Sequence, residues 1–107
     1  MDNEPPRIAN LRRMLETRPD DPRIRFALAL EYEKLQRWDE TATELRRYLD
    51  ATEDEGNAWG RLGAALHRLG RDDDARAAYR RGIEAAHRHG HPSMAAEFEE
   101  ALDDWNA

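Results

Sequence analysis

The chain has 107 residues, of which 37% are charged and 39% hydrophobic, with a net charge of −6 and no cysteine. The missing cysteine excludes disulfides, thiolate metal sites and cysteine nucleophiles, and the negative balance disfavours nonspecific affinity for nucleic acid or anionic lipid. No apolar run approaches the ~18 residues that a membrane span needs, and residues 1–6 lack the basic-then-apolar pattern of a leader. The expectation is one cytoplasmic domain over 1–107, with no nucleic-acid or membrane partner.

The elements follow in chain order from apolar spacing and punctuation. Pro5 and Pro6 open a helix with the stripe Ile8, Leu11, Met14, Leu15, and Pro19 stops it, since proline suits a first turn and breaks an interior. Asp21 and Pro22 form an N-cap and first turn for a helix carrying Phe26, Leu28, Tyr32 and Leu35. Trp38, Asp39 and Glu40 mark a tight turn into a helix with Ala42, Leu45, Tyr48 and Leu49 at the 3.6 period. Gly56 and Asn57 restart the cycle with Trp59, Leu62, Leu66 and Leu69, and Gly70 closes it. Asp72, Asp73 and Asp74 open the next helix, with Ala75, Ala78, Tyr79 and Ile83; three acids there suit the positive dipole end better than calcium. In the tail, Met94, Ala95, Phe98, Ala101, Leu102 and Trp105 make a stripe opposite Glu97, Glu99, Glu100, Asp103 and Asp104, with Ser93 as N-cap.

These elements repeat. Arg12-Arg13, Arg46-Arg47 and Arg80-Arg81 lie 34 residues apart, and in the same register Leu28 matches Leu62, Leu35 matches Leu69, Arg37 matches Arg71 and Asp39 matches Asp73. A fixed period of this size marks a stacked helical repeat, in which each unit buries its apolar face on its neighbours. The division is a half repeat at 7–19, complete repeats at 22–55 and 56–89, and a capping helix at 93–105 whose outer face is wet.

The 34-residue unit resembles the tetratricopeptide repeat. Trp59, Leu62, Gly63, Ala75 and Tyr79 stand at that family's signature spacing, with Leu66 in place of its tyrosine. The first complete repeat keeps Leu28 and Tyr32 and departs at Arg25, Ala29, Thr41 and Leu45. The resemblance implies an all-α, right-handed α-solenoid of antiparallel hairpins, about six helices in all. It also implies a concave groove lined by the first helix of each repeat, where a peptide or partner helix lies.

That orientation places Arg23, Phe26, Ala27, Leu30, Glu33 and Lys34 in the groove from the first repeat, and Asn57, Gly60, Arg61, Ala64, His67 and Arg68 from the second. Four of these are cationic and one anionic in a chain of net −6. Phe26, Leu30 and Ala64 would form an apolar floor, with Arg23, Lys34, Arg61 and Arg68 steering acidic groups of a protein partner. The alternative is that Phe26 and Leu30 only pack internally. Phe26, Leu30 and Arg61 also replace residues of the clamp with which some members grip a peptide carboxylate.

Other candidates are bland. Arg12, Arg46 and Arg80 read as an outward face self-paired with Glu16, Asp50 and Glu84 at i,i+4. His87, His89 and His91 alternate, and on a helix i,i+2 residues point about 200° apart, which suits a helix end rather than a metal. No phosphate loop, nucleophile elbow or His-Glu metal motif is present. The sequence therefore reads as a non-enzymatic scaffold with no cofactor; the alternative is homodimer assembly, or membership of a larger complex, through the incomplete N-terminal half-repeat.

Overall fold

The computed structural model describes residues 4–106. Six helices and no strand occur among them: α1 (Pro6–Thr17), α2 (Pro22–Lys34), α3 (Trp38–Ala51), α4 (Asn57–Arg68), α5 (Asp72–Arg88) and α6 (Pro92–Asn106). They fall into two compact units, with the boundary in the chain between Thr52 and Glu53. None of the helices is long and apolar enough to cross a membrane.

In the first unit, α2 begins where Asp21 accepts the backbone N–H of Arg23 at 2.9 Å, satisfying a donor that the first turn leaves open. Ile8, Leu11 and Leu15 of α1 bury against Ile24, Leu28 and Tyr32 of α2. Met14, one turn from Leu11 and expected in that stripe, is instead 39% exposed. In α3, Leu45 and Thr41 are fully buried, and the Thr41 hydroxyl donates to the carbonyl of Arg37 at 2.8 Å. Arg25 and Glu44 join α2 to α3 by an ion pair of 2.9 Å.

The turn between α2 and α3 differs from expectation. Trp38 already belongs to α3, and the reversal is made by Leu35, Gln36 and Arg37. Leu35 is the helix cap and is exposed, while Gln36 takes a left-handed φ of 59°. The Arg37 N–H returns to the carbonyl of Tyr32 at 3.0 Å, closing the last helical turn. Gly70 holds the matching place after α4, with φ 76°, and there the Arg71 N–H returns to Leu66 at 2.9 Å.

The second unit is built on close approach. Gly60 lies under Phe98 of α6 and Gly63 under Tyr79 of α5, so closely that an added Cβ would overlap either ring. Tyr79 meets Phe98 and Trp105 edge-on at centroid distances of 5.5 and 5.1 Å. Ala58, Leu62, Ala65, Leu66, Ala75 and Ala86 are each exposed by 1% or less. The first turn of α5 presents Asp72, Asp73 and Asp74. Helix α6 begins at Pro92, so Ser93 lies inside the first turn rather than capping it.

Candidate functional site

Within the first unit, α2 carries Arg23, Phe26, Leu30 and Lys34 at offsets of three, four and four residues, which puts them on one side of the helix. Phe26 and Leu30 are half-buried, and Arg23 and Lys34 are exposed. Phe26 does not lie bare: its ring meets Tyr48 of α3 at 4.9 Å, tilted by 43°. Both cations have local partners. Arg23 pairs with Asp21 at 3.2 Å, and Lys34 with Glu31 at 3.2 Å. The Arg23 guanidinium holds the Asp21 carboxyl below its ordinary range.

Within the second unit, Asn57, Arg61, Ala64, His67 and Arg68 likewise share one side of α4. Asn57, His67 and Arg68 are exposed, and Arg61 and Ala64 are half-buried. His67 is committed locally: its ring stacks on Trp105 at 3.9 Å, and Nδ1 lies 3.1 Å from Asp72. Trp105 therefore covers one of the expected site residues, a contact that no local pattern announces.

Arg12, Arg46 and Arg80 are exposed, as an outward face requires, but the partner of Arg12 differs from the expected i,i+4 acid. Arg12 does not turn to Glu16. It donates to the Tyr32 hydroxyl and pairs with Glu4 at 2.8 Å, and Glu4 also takes Arg37 at 2.7 Å. The alternating histidines disperse, with His91 on Glu55 at 2.5 Å and His87 beside Glu99 at 3.8 Å. No group of three or more His, Asp or Glu side chains is arranged to hold a metal among the described residues.

One surface lies on the half-repeat that the sequence offers as an assembly contact. Between α1 and α2, Leu11, Met14, Ile24 and Ala27 floor a shallow depression of about 280 Å³, with Arg18, Asp21 and Arg23 around it. Its signals in the sequence are the incomplete half-repeat at 7–19 and the register that makes Met14 the counterpart of Tyr48 and Gly82.

Two hairpins, α2–α3 and α4–α5, carry matching arginine pairs and matching left-handed turns at Gln36 and Gly70. Residues 2–86 match the family model described as tetratricopeptide repeat. The chain belongs to the tetratricopeptide repeat family. That family is an all-α repeat fold of the α-solenoid class, generally non-catalytic and used for protein interaction. Among solved structures, the chain is similar to protein BPP2914 from Bordetella parapertussis, with 29% identity, a TM-score of 0.76, and 91% of this chain and 84% of that one covered. It also resembles MamA AMB-1, at 22% identity and a TM-score of 0.68, and the MamA D159K mutant, at 23% and 0.65. The chain spans 62% and 64% of those two MamA chains, and the likeness to them is one of fold. No curated protein matches the sequence.

Proposed function

We propose that this tetratricopeptide repeat protein is a non-enzymatic interaction scaffold that captures an acidic, partly apolar peptide or helix on the faces of α2 and α4 that the family resemblance assigns to the groove. The observation that carries this reading is the set Arg23, Phe26, Leu30 and Lys34 on one side of α2. There, half-buried apolar groups lie between two exposed cations. Both cations are solvent-exposed although their acidic partners are largely covered, so these ion pairs hold them only weakly. A partner carboxylate can replace Asp21 or Glu31 at little cost, while Leu30 offers apolar contact. Arg61 and Arg68 on α4 add positive charge, which raises the rate of encounter with an acidic partner.

The test is affinity capture with the native chain, with Leu30→Asp, and with Arg61→Glu combined with Arg68→Glu, each checked for native helicity. The reading expects a partner retained by the native chain and lost from both variants. Equal retention by all three would sink it. Self-assembly through the α1 half-repeat is a second reading, and the exposure of Met14 favours it.

A further inference from the structure

The 34-residue register shows what Met14 lacks. Its counterparts are Tyr48 in α3 and Gly82 in α5, and each packs on the first helix of its own hairpin. The Tyr48 ring stands 4.9 Å from Phe26 of α2, and a Cβ on Gly82 would stand 3.1 Å from the Trp59 Cβ of α4. Helix α1 thus stands as the second helix of a hairpin: it packs on α2 of the next hairpin, and among the described residues no first helix of its own hairpin packs on it. Met14 is left exposed beside the depression floored by Leu11, Ile24 and Ala27.

Helix α6 has the converse defect. Helices α2, α4 and α6 begin at residues 22, 57 and 92, each 35 after the last. So α6 stands where a third hairpin's first helix belongs, and no second helix follows it among the described residues. Met94, Phe98, Leu102 and Trp105 of α6 are only half-buried. Met94, Ala101 and Trp105 recur at i, i+7 and i+11 along one edge of that apolar stripe, and Glu97 and Asp104 border it.

The charges of the two ends are opposite. Helix α6 holds five acids and no base, while residues 6–25 hold six arginines against three acids. At the depression itself, Arg18 and Arg23 share the single carboxylate of Asp21, at 3.9 and 3.2 Å, leaving one positive charge in excess. We infer that α6 of one copy seats in the α1–α2 depression of a second copy, on the side of α1 that leaves Met14 exposed. Met14 packs against the half-buried edge of α6, and Arg18 and Arg23 meet Glu97 and Asp104. The contact is heterologous, joining two different surfaces, and so differs from pairing of two α1 helices. It goes beyond capture of a peptide and does not rest on it.

The test uses the purified chain alone, followed by sedimentation equilibrium over a range of concentrations. The expected result is an average mass that climbs above 12.4 kDa with concentration and falls back at about 1 M salt, where the screening length shrinks to about 3 Å. Met14→Asp and the pair Glu97→Lys, Asp104→Lys are each expected to weaken self-association about tenfold or more, a loss of roughly 1.4 kcal/mol or more. Mixed in equal amounts, the two variants are expected to form a 1:1 heterodimer, because one keeps α6 and the other keeps the depression. Arg18→Glu replaces Met14→Asp if the latter loses helicity. A native chain that stays monomeric throughout overturns the inference. So does a Glu97→Lys, Asp104→Lys variant that self-associates as the native chain does, which would show α1 pairing with α1, and so does a mixture that yields no heterodimer.

Discussion

The Tyr32 hydroxyl of α2 accepts a hydrogen bond from Arg12 Nε of α1 at 3.0 Å, while the Arg37 guanidinium lies over the same ring, 4.9 Å from its centroid. Glu4 closes the cluster by pairing with both arginines. A ring that is 3% exposed is thereby tied at its edge to α1 and at its face to the start of α3. Tyr32→Phe keeps the packing and the cation–π contact and removes the hydroxyl that accepts from both Nε and Nη2 of Arg12. Arg12 stays wet enough to recover water, so the cost is about 1 kcal/mol, seen as a melting temperature lower by roughly 4–8 °C. Tyr32→Ala also empties the core and costs about 3–5 kcal/mol. Thermal melts of the two variants separate the polar contribution from the packing one.

This cluster marks the limit of what the sequence discloses. The fold was legible because register, apolar period and proline or glycine punctuation agree at many positions, and each is a local signal. The left-handed residue at Gln36 was hidden by its side-chain identity, although Gly70 sits 34 residues further on. Partners far apart in the chain were not legible. Helical spacing pairs Arg12 with Glu16, its neighbour on an ideal helix, because nothing local shows that Glu4, Tyr32 and Arg37 converge. The expected site fared likewise. That Arg23, Phe26, Leu30 and Lys34 share a helix face follows from their spacing, whereas the stacking of His67 on Trp105 depends on how α6 packs.

Gly63 gives a sharper test of packing in the second unit. Alanine in an ordinary helix position gains up to about 1 kcal/mol over glycine. Here the added methyl meets the Tyr79 ring, which Phe98 and Trp105 hold from two other sides. Overpacking of about 1–3 kcal/mol outweighs the propensity gain, so Gly63→Ala lowers the midpoint of urea unfolding. Combining it with Tyr79→Leu is expected to cost less than the two changes summed. Strict additivity would show that the ring does not set the limit.

Acid stability tests the surface carboxylates. Glu4 is held below its ordinary range first by the hydrogen bond from Arg37, with burial opposing and Arg12 assisting. The bond from His91 lowers Glu55, with burial again opposing. A carboxyl with a lowered folded pKa binds its proton more readily in the unfolded chain. Its contribution is therefore full above the ordinary value near 4.5 and is lost as pH falls through the lowered value. The melting-temperature gap between the native chain and Glu4→Gln is expected to be greatest above about pH 4.5 and to close on acidification. A gap that does not change with pH would mean that Glu4 ionisation adds nothing.

Gln36 offers a stabilising change. Its φ of 59° lies in the left-handed region, and the equivalent positions after α4 and α5, Gly70 and Gly90, both have φ 76° and are glycine. A side chain with a Cβ in that conformation costs about 1–2 kcal/mol. Glycine removes that strain but enlarges the freedom of the unfolded chain, at roughly 0.5–1 kcal/mol. The Gln36 N–H bond to Glu33 and the Arg37 N–H bond to Tyr32, both 3.0 Å, involve only backbone and survive the change. Relief of strain is the larger effect, so Gln36→Gly is expected to stabilise the chain by about 0.5–1 kcal/mol, measured as a rise in the urea midpoint at unchanged slope. Gln36→Val, β-branched and unsuited to positive φ, is expected to move the midpoint the other way. Should glycine lower the midpoint, the turn between α2 and α3 would hold no strain to release.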